Sequence, residues 1–241
     1  MLTFAKRNVK EILRDPINLA FGLGFPLVLI LLLTAIGANA PVPLFKLSNL
    51  TPGITVFGLS FITLFSATII AKDRSSSFLR RLYTTPLRPA DFILGYTLPL
   101  IPIAVAQSLC CYLAAVVLGM PAGINMLYST LFTVPISLLY IGIGLLCGSI
   151  LNDKQVGGIC GALLTNLSAW LSGIWFDLDL VGGVFQKIAN ALPFVHAVQL
   201  QRAVLAGDFA GIFPHLFFVL GYAIVTLTAA IFLFLRQMKR Q

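Results

Sequence analysis

"PGITVFGLSFITLFSATIIAKDRSSSFLRRLYTTPLRPADFILG", residues 52–95, holds the pattern on which the fold turns. Twenty uncharged residues, 52–71, end at a basic patch, and a second apolar run opens at Phe92. A helix needs ~20 apolar residues to cross ~30 Å of hydrocarbon. A transmembrane strand would instead be short and alternate in polarity. The stretch therefore reads as one membrane helix, a charged loop over 72–91 and the start of another membrane helix. Five of the sixteen Lys and Arg residues lie between Lys72 and Arg88.

The same reading extends outward. Apolar runs at about 18–38, 52–71, 92–118, 126–150, 156–176 and 212–235 predict six spans. A chain that is 59% hydrophobic and 10% charged, with mean hydropathy +0.97, belongs to the membrane class. The expected fold is an all-α membrane protein with one domain over 1–241. If the termini, the 72–91 loop and the 151–155 loop share one side, thirteen Lys and Arg lie there. Only Lys46, Lys187 and Arg202 lie on the other. That bias predicts cytoplasmic termini, and it makes the +8 net charge a topology signal rather than a nucleic-acid footprint. A cleavable leader ending at "GANAP" is the alternative for the first run, but about 20 apolar residues exceed a leader's core of roughly 7–15. Cys110, Cys111, Cys147 and Cys160 all fall in predicted spans without metal-ligand spacing, so no metal site is expected.

Residues 1–17 precede the first span as a basic amphipathic helix. Leu2, Ala5, Val9, Ile12 and Leu13 share one face, and Lys6, Lys10 and Arg14 recur on the opposite one, with Arg7 beside them. Such a helix lies in the membrane interface, basic face toward lipid headgroups, until Pro16 turns the chain. In the loop, Asp73 or Ser75 is the expected helix cap. Phe78, Leu79, Leu82 and Tyr83 share a face, with Arg80 and Arg81 elsewhere, and Pro86 stops the helix. A short amphipathic helix in a loop longer than reconnection needs suits docking into a groove on a soluble partner. A solvated or headgroup-bound loop is the other reading.

Two stripes mark the spans. Phe57, Phe61 and Phe65 recur at i, i+4, i+8, either as lipid-facing or packing bulk or as a ligand path. Gly157, Gly161, Thr165, Ser168 and Ser172 form a small-residue face, which serves helix packing or half a channel wall. Gln107, polar at membrane depth, is expected to face protein or a wet cavity. Residues 177–209 are too broken to cross and too apolar for a free loop; two short re-entrant helices hinged at Gly182–Gly183 and Pro193 are expected. His196 has no acidic or cysteine partner nearby in sequence and reads as structural.

No G-x-x-x-x-G-K-[ST], H-E-x-x-H or G-x-S-x-G occurs, and no carboxylates cluster inside the spans. A membrane-embedded lipid enzyme and a stand-alone secondary transporter both lose support, and energy for uphill transport must come from another chain.

Three segments resemble the ABC-2 type permeases, the membrane subunits of ATP-binding-cassette exporters: "LRDPINLAFGLGFPLVLILL", "AKDRSSSFLRRLYTTPLRPADFILGYTLP" and "LPFVHAVQLQRAVLAGD". Asp73 stands where a Glu is usual, and Ser76–Ser77 replace the usual Gly-Thr. The resemblance implies that residues 74–84 form a coupling helix on a separate ATPase, with Asp73, Arg74, Phe78, Leu79, Arg81, Leu82 and Tyr83 as its contacts. The N-terminal helix, through Lys6, Arg7, Lys10 and Arg14, would brace the same subunit. It further implies two ATPase copies that bind ATP and Mg, no cofactor and no catalytic residue in this chain, and a second permease, identical or related. Phe57, Phe61, Phe65, Thr165, Ser168 and Ser172 would line the pathway, in a plasma membrane whose lipids surround the pair. The apolar second span favours a drug, lipid or peptide as cargo; polysaccharide or glycolipid export is the alternative.

Overall fold

A computed structural model describes residues 2–39, 43–76, 78 and 89–238, and among these all regular structure is helical. That is what a bilayer demands of a backbone with no water to satisfy it. Helix α1 (Leu2–Leu13) lies at one end. Asp15 then caps α2 (Pro16–Leu19) by accepting from the Asn18 N–H, with Pro16 in the first helical position. A π-helical segment (Ala20–Gly24) leads into α3 (Phe25–Asn39). The long helices α4 (Leu47–Ser75), α5 (Pro89–Val117) and α6 (Ile124–Ile150) follow, and α12 (Phe209–Met238) closes the chain.

Among the described residues, five helices are long and apolar enough to cross a membrane: Ala20–Asn39, Leu47–Ser75, Asp91–Val117, Ile124–Ile150 and Phe209–Arg236. The sixth expected span, 156–176, differs. It is built from α7 (Asp153–Val156), a π-helical segment (Gly157–Leu164) and α8 (Thr165–Trp170), with turns over 171–176. The helical run opens on polar Asp153, Lys154 and Gln155 and stops six residues short of the expected end, so it is not among the five. It nevertheless follows α4 in the opposite direction. Val156 and Cys160 pack with Ala71 and Ala67, Gly161 sits beside Leu64, and Ile174 reaches Gly53.

Helix α4 is the hub, buried along most of its length. Its contact with α6 is close because glycine leaves room. A Cβ on Gly144 would fall 1.7 Å from Ser66 Oγ, and one on Gly148 would fall 2.6 Å from the Ala67 carbonyl oxygen. The Thr63 hydroxyl donates to the Tyr140 carbonyl at 2.8 Å across the same seam. Gln107 of α5 is 1% exposed and donates to the Thr55 carbonyl, so its amide does face protein.

The region before α12 contains three helices where two were expected: α9 (Leu178–Val181), α10 (Gly183–Ala191) and α11 (Pro193–Ala206). The breaks fall at Gly182–Gly183, both at φ +59°, and at Pro193. Helix α11 is pinned by Gln201, which accepts from the Tyr112 hydroxyl and donates to the Ser129 carbonyl and the Thr133 hydroxyl, each at 3.0 Å. Arg202, pushed down in pKa by burial, donates to the Asn49 and Gly173 carbonyls at 3.3 Å.

The ends of the bundle are chemically distinct. Helix α1, the end of α4, the start of α5, the end of α6 and α7 meet at one end, and Phe234 of α12 reaches Phe92 there at 5.3 Å between centroids. This is the basic end.

Candidate functional site

The basic end is organised around Asp73. The carboxylate lies in the last turns of α4 and is 3% exposed. Arg7 of α1 donates to both of its oxygens, at 2.6 and 2.7 Å, and the Tyr96 hydroxyl of α5 donates at 2.9 Å. Two-pronged charge-assisted bonds of this kind fix geometry as well as charge. The carboxylate raises the Arg7 pKa above its ordinary value, against the opposing pull of burial.

Aromatic packing completes the joint. Phe4 sits edge-on to Tyr96 at 4.9 Å and stacks with Phe78 at 6.2 Å. The Arg7 guanidinium lies 4.0 Å from the centre of the Phe78 ring, a cation–π distance. Asn8 donates to the Gly95 carbonyl at 2.9 Å. Gly95 itself admits Phe4: a Cβ there would fall 2.2 Å from Phe4 Cδ1.

The adjacent Arg74 reaches another helix. Its Nη1 donates to the Gly148 carbonyl at 2.8 Å and the Leu151 carbonyl at 3.1 Å, capping the end of α6. A helix terminus leaves such carbonyls without intrahelical partners, and a cation there also complements the helix dipole. Two consecutive residues thus tie the end of α4 to α1, α5 and α6.

The expected cap is displaced. Asp73 and Ser75 lie inside α4, which runs on to Ser75, and Ser76 is the residue that leaves helical geometry. Its Oγ accepts from the Phe78 N–H at 3.2 Å. Leu79, Arg81, Leu82 and Tyr83 lie outside the described residues. On α1 the face buried against protein is Phe4, Ala5, Asn8 and Ile12, whereas Val9 and Leu13, placed on the apolar face by periodicity, are exposed. Lys6, Lys10 and Arg14 are exposed, and Arg7 alone of the four turns inward.

The two pathway stripes are buried within the subunit. Phe57 and Phe61 pack against Phe25, Phe57 meets Trp175, and Phe65 fills the space beside Gly22. The Ser168 hydroxyl is 2.9 Å from that of Tyr140, Thr165 donates to the Cys160 carbonyl, and Ser172 to that of Ala169.

The family model for ABC-2 type transporters matches residues 1–206. The chain belongs to the ABC-2 type transporter family. A search of curated proteins finds no match. As an ABC-2 permease it is a multi-pass membrane protein and the transport component of its system, a role that pairs it with an ABC ATPase subunit. The match holds the whole Arg7–Asp73–Tyr96 joint and α11; helix α12 lies beyond it. The permease carries features that periodicity did not single out: Asn8, Gly95 and Tyr96 at the joint, and the Gly144/Gly148 pair under α4. The last was legible as a G-x-x-x-G spacing inside an apolar run.

Proposed function

We propose that this permease is the membrane half of an ATP-driven exporter whose coupling helix, residues 74–84, seats on a separate ATPase. The observation that carries the reading is the joint at Asp73 and Arg74. A push on the loop that follows Ser76 meets no slack, because the end of α4 is bonded to α1, α5 and the end of α6 within two residues. Lys6, Lys10 and Arg14, exposed on α1, brace the same ATPase. Two such permeases, identical or related, with two ATPases binding ATP and Mg, complete the exporter, in a plasma membrane with both termini in the cytoplasm.

In this reading all six apolar stretches cross the bilayer, the 153–170 run included, because it parallels α4 from the basic end to the other. The Phe57/Phe61/Phe65 and Thr165/Ser168/Ser172 faces open toward the pathway when ATP closes the ATPases. The cargo is a hydrophobic or amphipathic drug, lipid or peptide, in keeping with the aromatic wall of α4. Co-purification with the partner ATPase and its stimulation by permease test the reading. Leu82→Asp abolishes both while the permease keeps its unfolding temperature; an unchanged complex with unchanged stimulation overturns it. Phe78→Asp is the less clean variant, since Phe78 also packs on Phe4 and Arg7.

A further inference from the structure

The end of the bundle opposite the joint carries two histidines for which the exporter reading has no use. His196 lies on α11 and His215 on the early turns of α12, and their Nδ1 atoms face each other at 2.9 Å. His196 Nε2 is 2.9 Å from the Asn190 carbonyl oxygen. A carbonyl only accepts, so that nitrogen carries the proton, and a neutral His196 turns its Nδ1 lone pair toward His215. The Phe218 ring packs against the His196 ring, tilted by 37° with 3.9 Å between centroids. His215 also lines a cavity of about 950 Å³ whose wall includes Asp177, Asp179 and Asp208.

We propose that His196 and His215 form a two-imidazole site for a transition-metal dication of the zinc class, joining α11 to the last helix. Two observations and one chemical preference converge on it. The two nitrogens come from different helices and lie 2.9 Å apart, close to the bite that chelation requires. The His196 ring donates its remote N–H to a backbone carbonyl, the outer contact that orients most metal-ligating imidazoles. Neutral imidazole is a preferred ligand of zinc, copper and nickel. With Zn–N bonds of about 2.0–2.1 Å at a tetrahedral angle, two nitrogens sit about 3.4 Å apart, so a parting of about half an ångström admits the ion.

Among the described residues no group of three or more His, Cys, Asp or Glu side chains converges, so water completes the coordination and the ion exchanges freely. It enters through the cavity, whose three carboxylates draw cations toward His215. The site stands apart from the transport reading and holds whatever the cargo.

The test uses the full chain in nanodiscs. Zinc alone raises the unfolding temperature, EDTA reverses the rise, and the stoichiometry is one ion per chain. Affinity falls at least about tenfold in His196→Gln and in His215→Gln. The wild-type chain loaded with copper(II) gives a paramagnetic resonance spectrum split by two nitrogens, a readout that needs no variant to fold. A spectrum with one nitrogen or none, an unfolding temperature indifferent to zinc, or an equal zinc shift in the double Gln variant overturns the site and leaves a plain imidazole–imidazole hydrogen bond.

Discussion

Arg7 and Asp73, 66 positions apart in sequence, close two hydrogen bonds of 2.6 and 2.7 Å, so that the first helix grips the end of the central one. The carboxylate is almost wholly buried while the guanidinium side chain keeps a third of its surface, 33%, in contact with its surroundings. The two partners are therefore not equivalent when removed.

Arg7→Ala leaves a buried carboxylate with Tyr96 as its remaining named donor, at an expected cost of about 2–3 kcal/mol, below the usual loss for a fully buried pair. Asp73→Asn keeps an acceptor for Tyr96 and frees Arg7 to solvent, and it costs less. Thermal unfolding of the solubilised permease orders the two variants. The arginine gives this joint no switch near neutrality: its raised pKa means its contribution is complete below the unfolded value and fades only as pH climbs through the still higher folded one.

Gly95→Ala forces Phe4 out, because the new methyl would stand 2.2 Å from Phe4 Cδ1. Overpacking of this kind costs about 1–3 kcal/mol, and here it releases α1. Trypsin then cuts sooner at Lys6, Arg7 and Lys10 in the variant. In a Phe4→Ala background the same glycine substitution costs little more, since the ring it displaces is gone; additive losses would disprove the contact.

Gly148→Leu separates α4 from α6, as its Cβ already lies 2.6 Å from the Ala67 carbonyl oxygen. Gly158→Leu is the control, with nothing within 4 Å of its Cβ. Folded yield in detergent collapses for the first and holds for the second.

Gln201→Leu breaks three hydrogen bonds at once and strands the buried Tyr112 hydroxyl, while the Ser129 carbonyl keeps the Thr133 hydroxyl as donor. An orphaned buried group costs about 1–3 kcal/mol; Tyr112→Phe breaks one bond and strands only Gln201 Oε1, so it costs less. Unfolding temperatures should fall in that order.

The helical class and five of the long helices were legible because a bilayer admits few backbones and writes them as uninterrupted apolar length. Gln107 could be assigned to protein contact on the same logic, and the breaks at Gly182 and Pro193 follow from backbone chemistry alone. The joint at Asp73 was not legible. Many cations crowd the basic end, and nothing in periodicity selects Arg7 over Lys6 or Lys10. Asp73 looks like a helix cap until α1 is docked over it. His196 looked solitary because its partner belongs to the next helix, 19 positions on.

The stripe Gly157–Gly161–Thr165–Ser168–Ser172 fails as a single face for a reason of its own. A π turn holds one residue more than an α turn, so whatever follows Leu164 is swung by about 100° from where α periodicity would put it. Gly157 consequently faces outward while Thr165, Ser168 and Ser172 face in. The chain carries surplus length there and at Ala20–Gly24. These two stretches are where a codon can be lost without penalty: shortening either by one residue lets it tighten into ordinary helix, whereas the same deletion within α4 would misalign every contact beyond it.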